Sequence, residues 1–149
     1  MQSIKVNLNK NSYNIFIQKN LRLNFSKIID SMNQKRKFVI FTQQSIFDLY
    51  GIELIQNLQK QDVDIEYILL ENSENAKSFS LIAPIYEKII SLNCDRSTLF
   101  IALGGGVVGD VTGFLAATFL RGIEYIQIPT TLLAMVDSSI GGKTGINLD

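Results

Sequence analysis

Leu103-Gly104-Gly105-Gly106-Val107-Val108-Gly109-Asp110 is the stretch whose reading decides the fold. Before it, Ser97-Thr98-Leu99-Phe100-Ile101-Ala102-Leu103 is an almost unbroken apolar run of strand length. After it, Val111, Phe114, Leu115, Thr118 and Phe119 recur at helical spacing. Strand, glycine turn and helix together bring bare backbone N–H groups to a phosphate, at the positive end of the helix dipole. Gly104, Gly106 and Gly109 also satisfy the G-x-G-x-x-G spacing, which points to a dinucleotide pyrophosphate. The plainer alternative is a tight βα turn with glycines for packing alone. Four glycines in six residues, with an acid following, speak against it.

Composition narrows the classes. The chain has 149 residues, no formal net charge and 46% hydrophobic residues, which suits one α/β domain with a real core spanning 1–149. Neutral balance argues against nucleic acid as a partner. No apolar run approaches the roughly 20 residues of a membrane span, and the N-terminus lacks a signal peptide's hydrophobic stretch, so a cytoplasmic location is expected. The single cysteine, Cys94, excludes an internal disulfide, and its loop setting reads as a bystander thiol. There is no histidine, so neither a Ser/His/Asp triad nor an ordinary zinc site can be assembled from this chain.

Outward from the glycine turn, the pattern alternates. Ile4, Val6 and Leu8, then Tyr13, Ile15 and Ile17, flank Asn9-Lys10-Asn11-Ser12 and predict an opening β-hairpin. Leu21, Phe25, Ile28, Ile29 and Met32 mark a helix face. Lys35-Arg36-Lys37 reads as a solvated loop, and Phe38-Val39-Ile40-Phe41 as a buried strand. Helical spacing returns at Ile46, Phe47, Leu49 and Tyr50, and again at Leu54, Ile55 and Leu58 around Gly51. Val63, Ile65, Tyr67 and Leu69 make the next strand. The polar run Glu71 to Lys77 follows it, where an α/β sheet places ligand-contacting loops; a solvated loop capped by Asn72 or Ser73 is the alternative.

Phe79 to Leu92 forms the next helix, in which Pro84 predicts a late start or a kink. Arg121-Gly122 reads as a helix stop after the glycine turn. Glu124 to Ile128 is a further strand cut by Pro129, and Thr130-Thr131 can cap a helix from Leu132 to about Ser138 while offering hydroxyls to a ligand. The expected fold is Rossmann-like, a mainly parallel sheet with an N-terminal hairpin.

A second glycine-rich turn, Gly141-Gly142-Lys143-Thr144-Gly145, ends like a Walker A loop. That motif needs glycine at position 137, where Asp137 stands and would repel phosphates, so a nucleotide triphosphatase is rejected. Lys143 remains a point charge for phosphate or carboxylate, and Asp137 an acceptor for hydroxyls, unless both belong to a surface ion pair. The dinucleotide reading also departs from the usual order. The glycine turn comes late and Glu124 lies at the wrong end of its strand to grip a ribose, which leaves the Glu74/Lys77 loop for that role.

Ala102 to Asp110, Arg121-Gly122, Gln127-Ile128-Pro129-Thr130-Thr131-Leu132-Leu133-Ala134 and Val136-Asp137-Ser138-Ser139-Ile140-Gly141-Gly142-Lys143-Thr144 together resemble 3-dehydroquinate synthases, most densely from about residue 98 to 148. The resemblance implies an NAD- and divalent-metal-dependent lyase of the shikimate pathway. Its substrate would be 3-deoxy-arabino-heptulosonate 7-phosphate, converted through transient oxidation, phosphate elimination, re-reduction and aldol closure. It implies NAD contacts at Gly105, Gly106, Val107, Val108, Gly109, Asp110, Thr130, Thr131 and Lys143, with Glu74 and Lys77 matching the family's D-G-E-x-x-K adenosine loop. Asn72-Ser73 replaces Asp-Gly in that loop, and Gln43 stands where an acid is common. Arg121, Asp137 and Lys143 match substrate positions. A homodimer is implied, with Arg121 serving a site across its interface. The zinc or cobalt ion would be held by a glutamate and two histidines of a helical C-terminal domain absent from this chain, which is therefore expected to be inactive alone. Rivals are a 2-deoxy-scyllo-inosose synthase type of cyclase, a polyol or iron-dependent alcohol dehydrogenase, and a non-catalytic NAD-binding module.

Overall fold

A computed structural model describes residues 1–30, 36–59 and 63–148. Met32 and Lys35 lie outside the described residues. The chain opens with the expected hairpin, β1 (Gln2–Val6) and β2 (Tyr13–Ile17), paired antiparallel with Ile4 opposite Ile15. Four parallel strands follow: β3 (Lys37–Gln43), β4 (Asp64–Leu70), β5 (Leu99–Gly104) and β6 (Tyr125–Pro129). Their order across the sheet is β4-β3-β5-β6, so the chain steps one way from β3 and then returns to build on its other side. The reversal puts a topological switch point between β3 and β5, and the crevice outside their carboxyl ends is where such sheets bind ligands.

The two central strands are buried on both faces, which is why they read as continuous apolar runs rather than alternating ones. Phe38, Ile40, Leu99, Ile101 and Leu103 point to one face and pack with α1 (Phe25–Asp30), α3 (Ile52–Gln59) and the hairpin's Phe16. Val39, Phe41, Phe100 and Ala102 point to the other and pack with α4 (Phe79–Ser91) and α5 (Gly106–Thr118). Phe41 and Phe100 meet edge to face at 4.8 Å between ring centroids. Losing either ring would cost about 3–5 kcal/mol.

Several local expectations need correction. The helix after β3 is one run in three pieces: α2 (Gln44–Ile46), a π-helical segment (Phe47–Gly51) and α3. The bulge falls at Gly51, where any side chain would strike the Phe47 ring, itself stacked on Tyr67. α4 starts at Phe79 and runs through Pro84, so there is no late start; the proline removes only the bond to the exposed Ser80 carbonyl. Ser78 stands at the N-cap of α4, while Ser73 stands at the N-cap of the short 3₁₀ turn Glu74–Lys77, its hydroxyl donating to Glu71 rather than capping that turn. α5 ends at Thr118, three residues before Arg121, and a single 3₁₀ turn (Phe119–Arg121) leads to Gly122.

Nor are Arg36 and Lys37 a solvated pair. Arg36 bonds Glu124, while Lys37 donates to the Leu92 carbonyl at 2.5 Å and pairs with Asp64 at 3.0 Å. Among the described residues, no helix is long and apolar enough to cross a membrane.

Candidate functional site

The glycine turn sits at the switch point. Gly105 is the N-cap of α5, no side chain caps the helix, and the first helical bond closes only at the Gly109 amide, which donates to the Gly105 carbonyl at 3.0 Å. The Gly106, Val107 and Val108 amides therefore have no helical acceptor, which is the arrangement that binds anions. Gly105, Gly106 and Val107 are partly exposed. A Cβ on Gly105 would crowd Thr131 Cγ2 at 3.2 Å, and one on Gly106 would sit 3.4 Å from Ser138 Oγ. Val108 differs from its neighbours: its side chain is fully buried in the core, so only its backbone faces the turn.

Three other loops converge here. The Thr130 amide donates to the Gly104 carbonyl at 2.9 Å and fastens the end of β6 beside the turn. Thr131 Oγ1 accepts from the Ala134 amide at 3.2 Å, the capping role expected of it. Thr130 Oγ1 is buried without a hydrogen-bond partner, an orphan next to the turn. From the end of β3, Gln43 Nε2 donates to the Glu71 carbonyl at 3.1 Å and joins the loop after β4.

That loop carries the charge. Lys77 Nζ lies 3.0 Å from Glu74 Oε1 and 2.7 Å from Asp110 Oδ2, so it ties the 3₁₀ turn (Glu74–Lys77) to α5. Burial pulls the Lys77 pKa down, but the hydrogen bonds and charges of Asp110 and Glu74 outweigh it, and the net shift is upward. Beneath α5, Gly109 and Gly113 allow close packing of neighbouring side chains. Gln127 Oε1 lies 2.7 Å from where a Gly109 Cβ would be, and Thr144 and the Tyr125 hydroxyl fill the space over Gly113. Burial raises the Tyr125 pKa, with a hydrogen bond from Gln127 opposing it.

The remaining candidates are placed differently. Asp137 belongs to a π-helical segment (Ala134–Ser138) and is exposed, as is Lys143 in the following turn. Among the described residues, no ion pair joins them. Arg121 is exposed at the far end of α5, about 20 Å of helix from the glycine turn at 1.5 Å per residue. It has φ +72 and follows Leu120 at φ +49, two residues in a region that side chains rarely adopt. Tyr13 carries no functional signal in the sequence, yet its hydroxyl accepts from the Gly141 amide at 2.8 Å. Nothing local in the hairpin signals that contact, which spans 128 positions of sequence.

A family model described as 3-dehydroquinate synthase N-terminal matches residues 67–149. A 3-dehydroquinate synthase from Prochlorococcus marinus subsp. pastoris is 47% identical over 146 residues, 97% of this chain and 40% of that protein. A solved 2-deoxy-scyllo-inosose synthase, complexed with carbaglucose-6-phosphate, NAD+ and Co2+, superposes with a TM-score of 0.89 at 23% identity, over 99% of this chain and 40% of that one. A 2-epi-5-epi-valiolone synthase from Streptomyces hygroscopicus subsp. jinggangensis, with NAD+ and Zn2+ bound, gives 0.81 at 29% identity, over 95% and 39%. The chain spans about two fifths of the length of the curated relatives it matches.

Proposed function

The chain belongs to the 3-dehydroquinate synthase family, and on that premise we propose that it is the NAD-binding part of such an enzyme. The observation that carries the reading is the uncapped start of α5 at the switch point, with the Lys77–Asp110 tie alongside. The residues fit the cofactor: the amides of Gly106, Val107 and Val108 meet its pyrophosphate, for which Gly105 leaves room. The orphaned Thr130 hydroxyl gains a partner, and Glu74 accepts from ribose hydroxyls while Lys77 holds it in place. Bound there, NAD would supply a reversible hydride acceptor for the carbon that bears a substrate hydroxyl, whose own hydrogen leaves as a proton.

The substrate is a seven-carbon sugar acid phosphate. Lys143 and Arg121 counter its phosphate and carboxylate, and Asp137 accepts from its hydroxyls. With Arg121 at the distant end of α5, that residue serves a second subunit's site in a homodimer. The whole enzyme is a phosphate-eliminating lyase of the cytoplasm.

The metal does not fit this chain. Among the described residues, no cluster of His, Cys, Asp or Glu could hold one, and the sequence has no histidine. Its ligands are proposed to lie outside these 149 residues. The purified chain is therefore expected to form no dehydroquinate from the sugar acid phosphate, and measurable product would overturn this assignment. In an enzyme carrying the metal-binding part, a dehydrogenase would show net NADH release with substrate, whereas the cyclase chemistry proposed here shows none. The likeness to 2-deoxy-scyllo-inosose synthase, at 23% identity, speaks for the fold alone.

A further inference from the structure

We propose that Tyr13, on the N-terminal hairpin, is a positioning residue for Lys143. Its hydroxyl fixes the Gly141 amide, and so sets the turn from which Lys143 meets the substrate's anionic group. The inference rests on Lys143 being an anion contact, as read above, and adds a role for a part of the chain that the cofactor does not need.

The turn has little else to hold it. Gly141 and Gly142 have φ +98 and +75, and a Cβ at either would meet nothing within 4 Å. Among the described residues, the bond to Tyr13 at 2.8 Å is the one hydrogen bond on the backbone from Gly141 to Thr144. On either side the chain is anchored. The Ile140 amide donates to the Asp137 carbonyl at 2.9 Å; Thr144 packs over Gly113; the Asn147 amide donates to the Lys77 carbonyl at 2.9 Å. Lys143 therefore stands on a free span between two fixed points, and the tyrosine pins that span near its start. Two adjacent glycines in the left-handed region have many alternative backbone states to lose. One hydrogen bond there decides which state is populated, and with it where a lysine on a four-carbon stem delivers its charge. The tyrosine itself is carried by a paired strand, opposite Val6, so its backbone is held in the hairpin ladder.

The test is a double-mutant cycle on the 149-residue chain with Tyr13→Phe, Lys143→Gln and both together. Phenylalanine keeps the ring and removes only the hydroxyl. Inorganic phosphate is titrated into each protein and followed at the amides of Gly141 to Thr144, separately from those of Gly106 to Val108 at the start of α5, and hydrogen exchange is read at Gly141. Exchange at Gly141 is expected to quicken about 5-fold in Tyr13→Phe, the size of one lost hydrogen bond. On adding Tyr13→Phe, phosphate affinity is expected to fall about 3-fold where Lys143 is intact and not at all where Lys143→Gln is already present, since the hydroxyl acts only through the lysine. Unchanged exchange, an equal loss in both backgrounds, or phosphate binding indifferent to Lys143 would each overturn the proposal. NAD titrated into the same proteins keeps the two readings apart. Its failure to bind wild type would contradict the cofactor site, while the phosphate comparison still decides the role of Tyr13.

Discussion

Lys77 Nζ lies 2.7 Å from Asp110 Oδ2, so the loop after β4 is locked onto the helix that follows the glycine turn. The pair is mostly shielded, with 17% and 25% of the two side chains exposed, and Glu74 holds the same ammonium from the outside. Two walls of the crevice are thereby fixed relative to each other before any ligand arrives.

Lys77→Met removes that lock and leaves Asp110 without its cation. We expect a loss of about 1–2 kcal/mol in stability, less than a fully buried pair would give because Asp110 is partly solvated. NAD affinity should fall about 10-fold in calorimetry, since the loop after β4 must then be ordered on binding. A variant binding NAD as tightly as wild type would show that the lock has no bearing on the site.

The same pair fixes a pH dependence. The folded pKa of Lys77 lies above its ordinary 10.5, so its contribution is complete below about pH 10.5 and is lost as pH rises through the folded value. The difference in Tm between wild type and Lys77→Met should be constant from pH 7 to 10 and shrink above that. A difference that grows with pH would contradict the sign.

Thr130→Val separates cofactor binding from folding. The hydroxyl is buried without a partner, so an apolar side chain of the same shape should leave Tm unchanged or raise it, by up to about 1 kcal/mol of stability. NAD affinity should nevertheless drop several-fold. Thr112→Val removes the other orphaned hydroxyl among the described residues, within α5, and should leave NAD affinity untouched. Equal effects of the two substitutions on NAD would remove Thr130 from the site.

The glycines are not interchangeable. An alanine Cβ at Gly104 would lie 2.7 Å from Val108 Cβ, and one at Gly113 would lie 3.0 Å from Thr144 Cβ, both backbone-linked carbons that cannot swing aside. Each substitution should cost about 1–3 kcal/mol. At Gly109 the obstacle is the Gln127 amide oxygen at 2.7 Å, the tip of a flexible side chain, so Gly109→Ala should cost visibly less. Thermal denaturation of the three variants gives the ranking directly.

What the sequence made legible follows from range. β5, its glycine turn and α5 are specified within about twenty consecutive residues, by an apolar run, glycines and a helical repeat, and they stand where the pattern put them. The hairpin was equally local, with two alternating segments around Asn9 to Ser12. The strand order was not legible, because β3 pairs with both β4 and β5 and no residue advertises its neighbour across a parallel sheet.

Nor was the Lys77–Asp110 tie legible, since it depends on that order bringing a loop and a helix together over 33 positions. Lys77 and Asp110 were each marked through the family resemblance, but their contact was not. Arg36 and Lys37 looked solvated because their acceptors, Glu124, Asp64 and the Leu92 carbonyl, are remote in sequence. Ser73 looked like a cap because capping residues have a local signature, yet its hydroxyl took the nearer Glu71 carboxylate at 2.6 Å.

The central claim is that the start of α5 is a seat for NAD's pyrophosphate. Isothermal titration of NAD into the folded 149-residue chain tests it most directly, with Gly106→Val as the comparison because a branched side chain there would cover the free amides. The account predicts saturable binding at one NAD per chain, abolished in the variant while cooperative unfolding is retained. A cooperatively folded wild-type chain that takes up no NAD, or a variant that binds it undiminished, would contradict it.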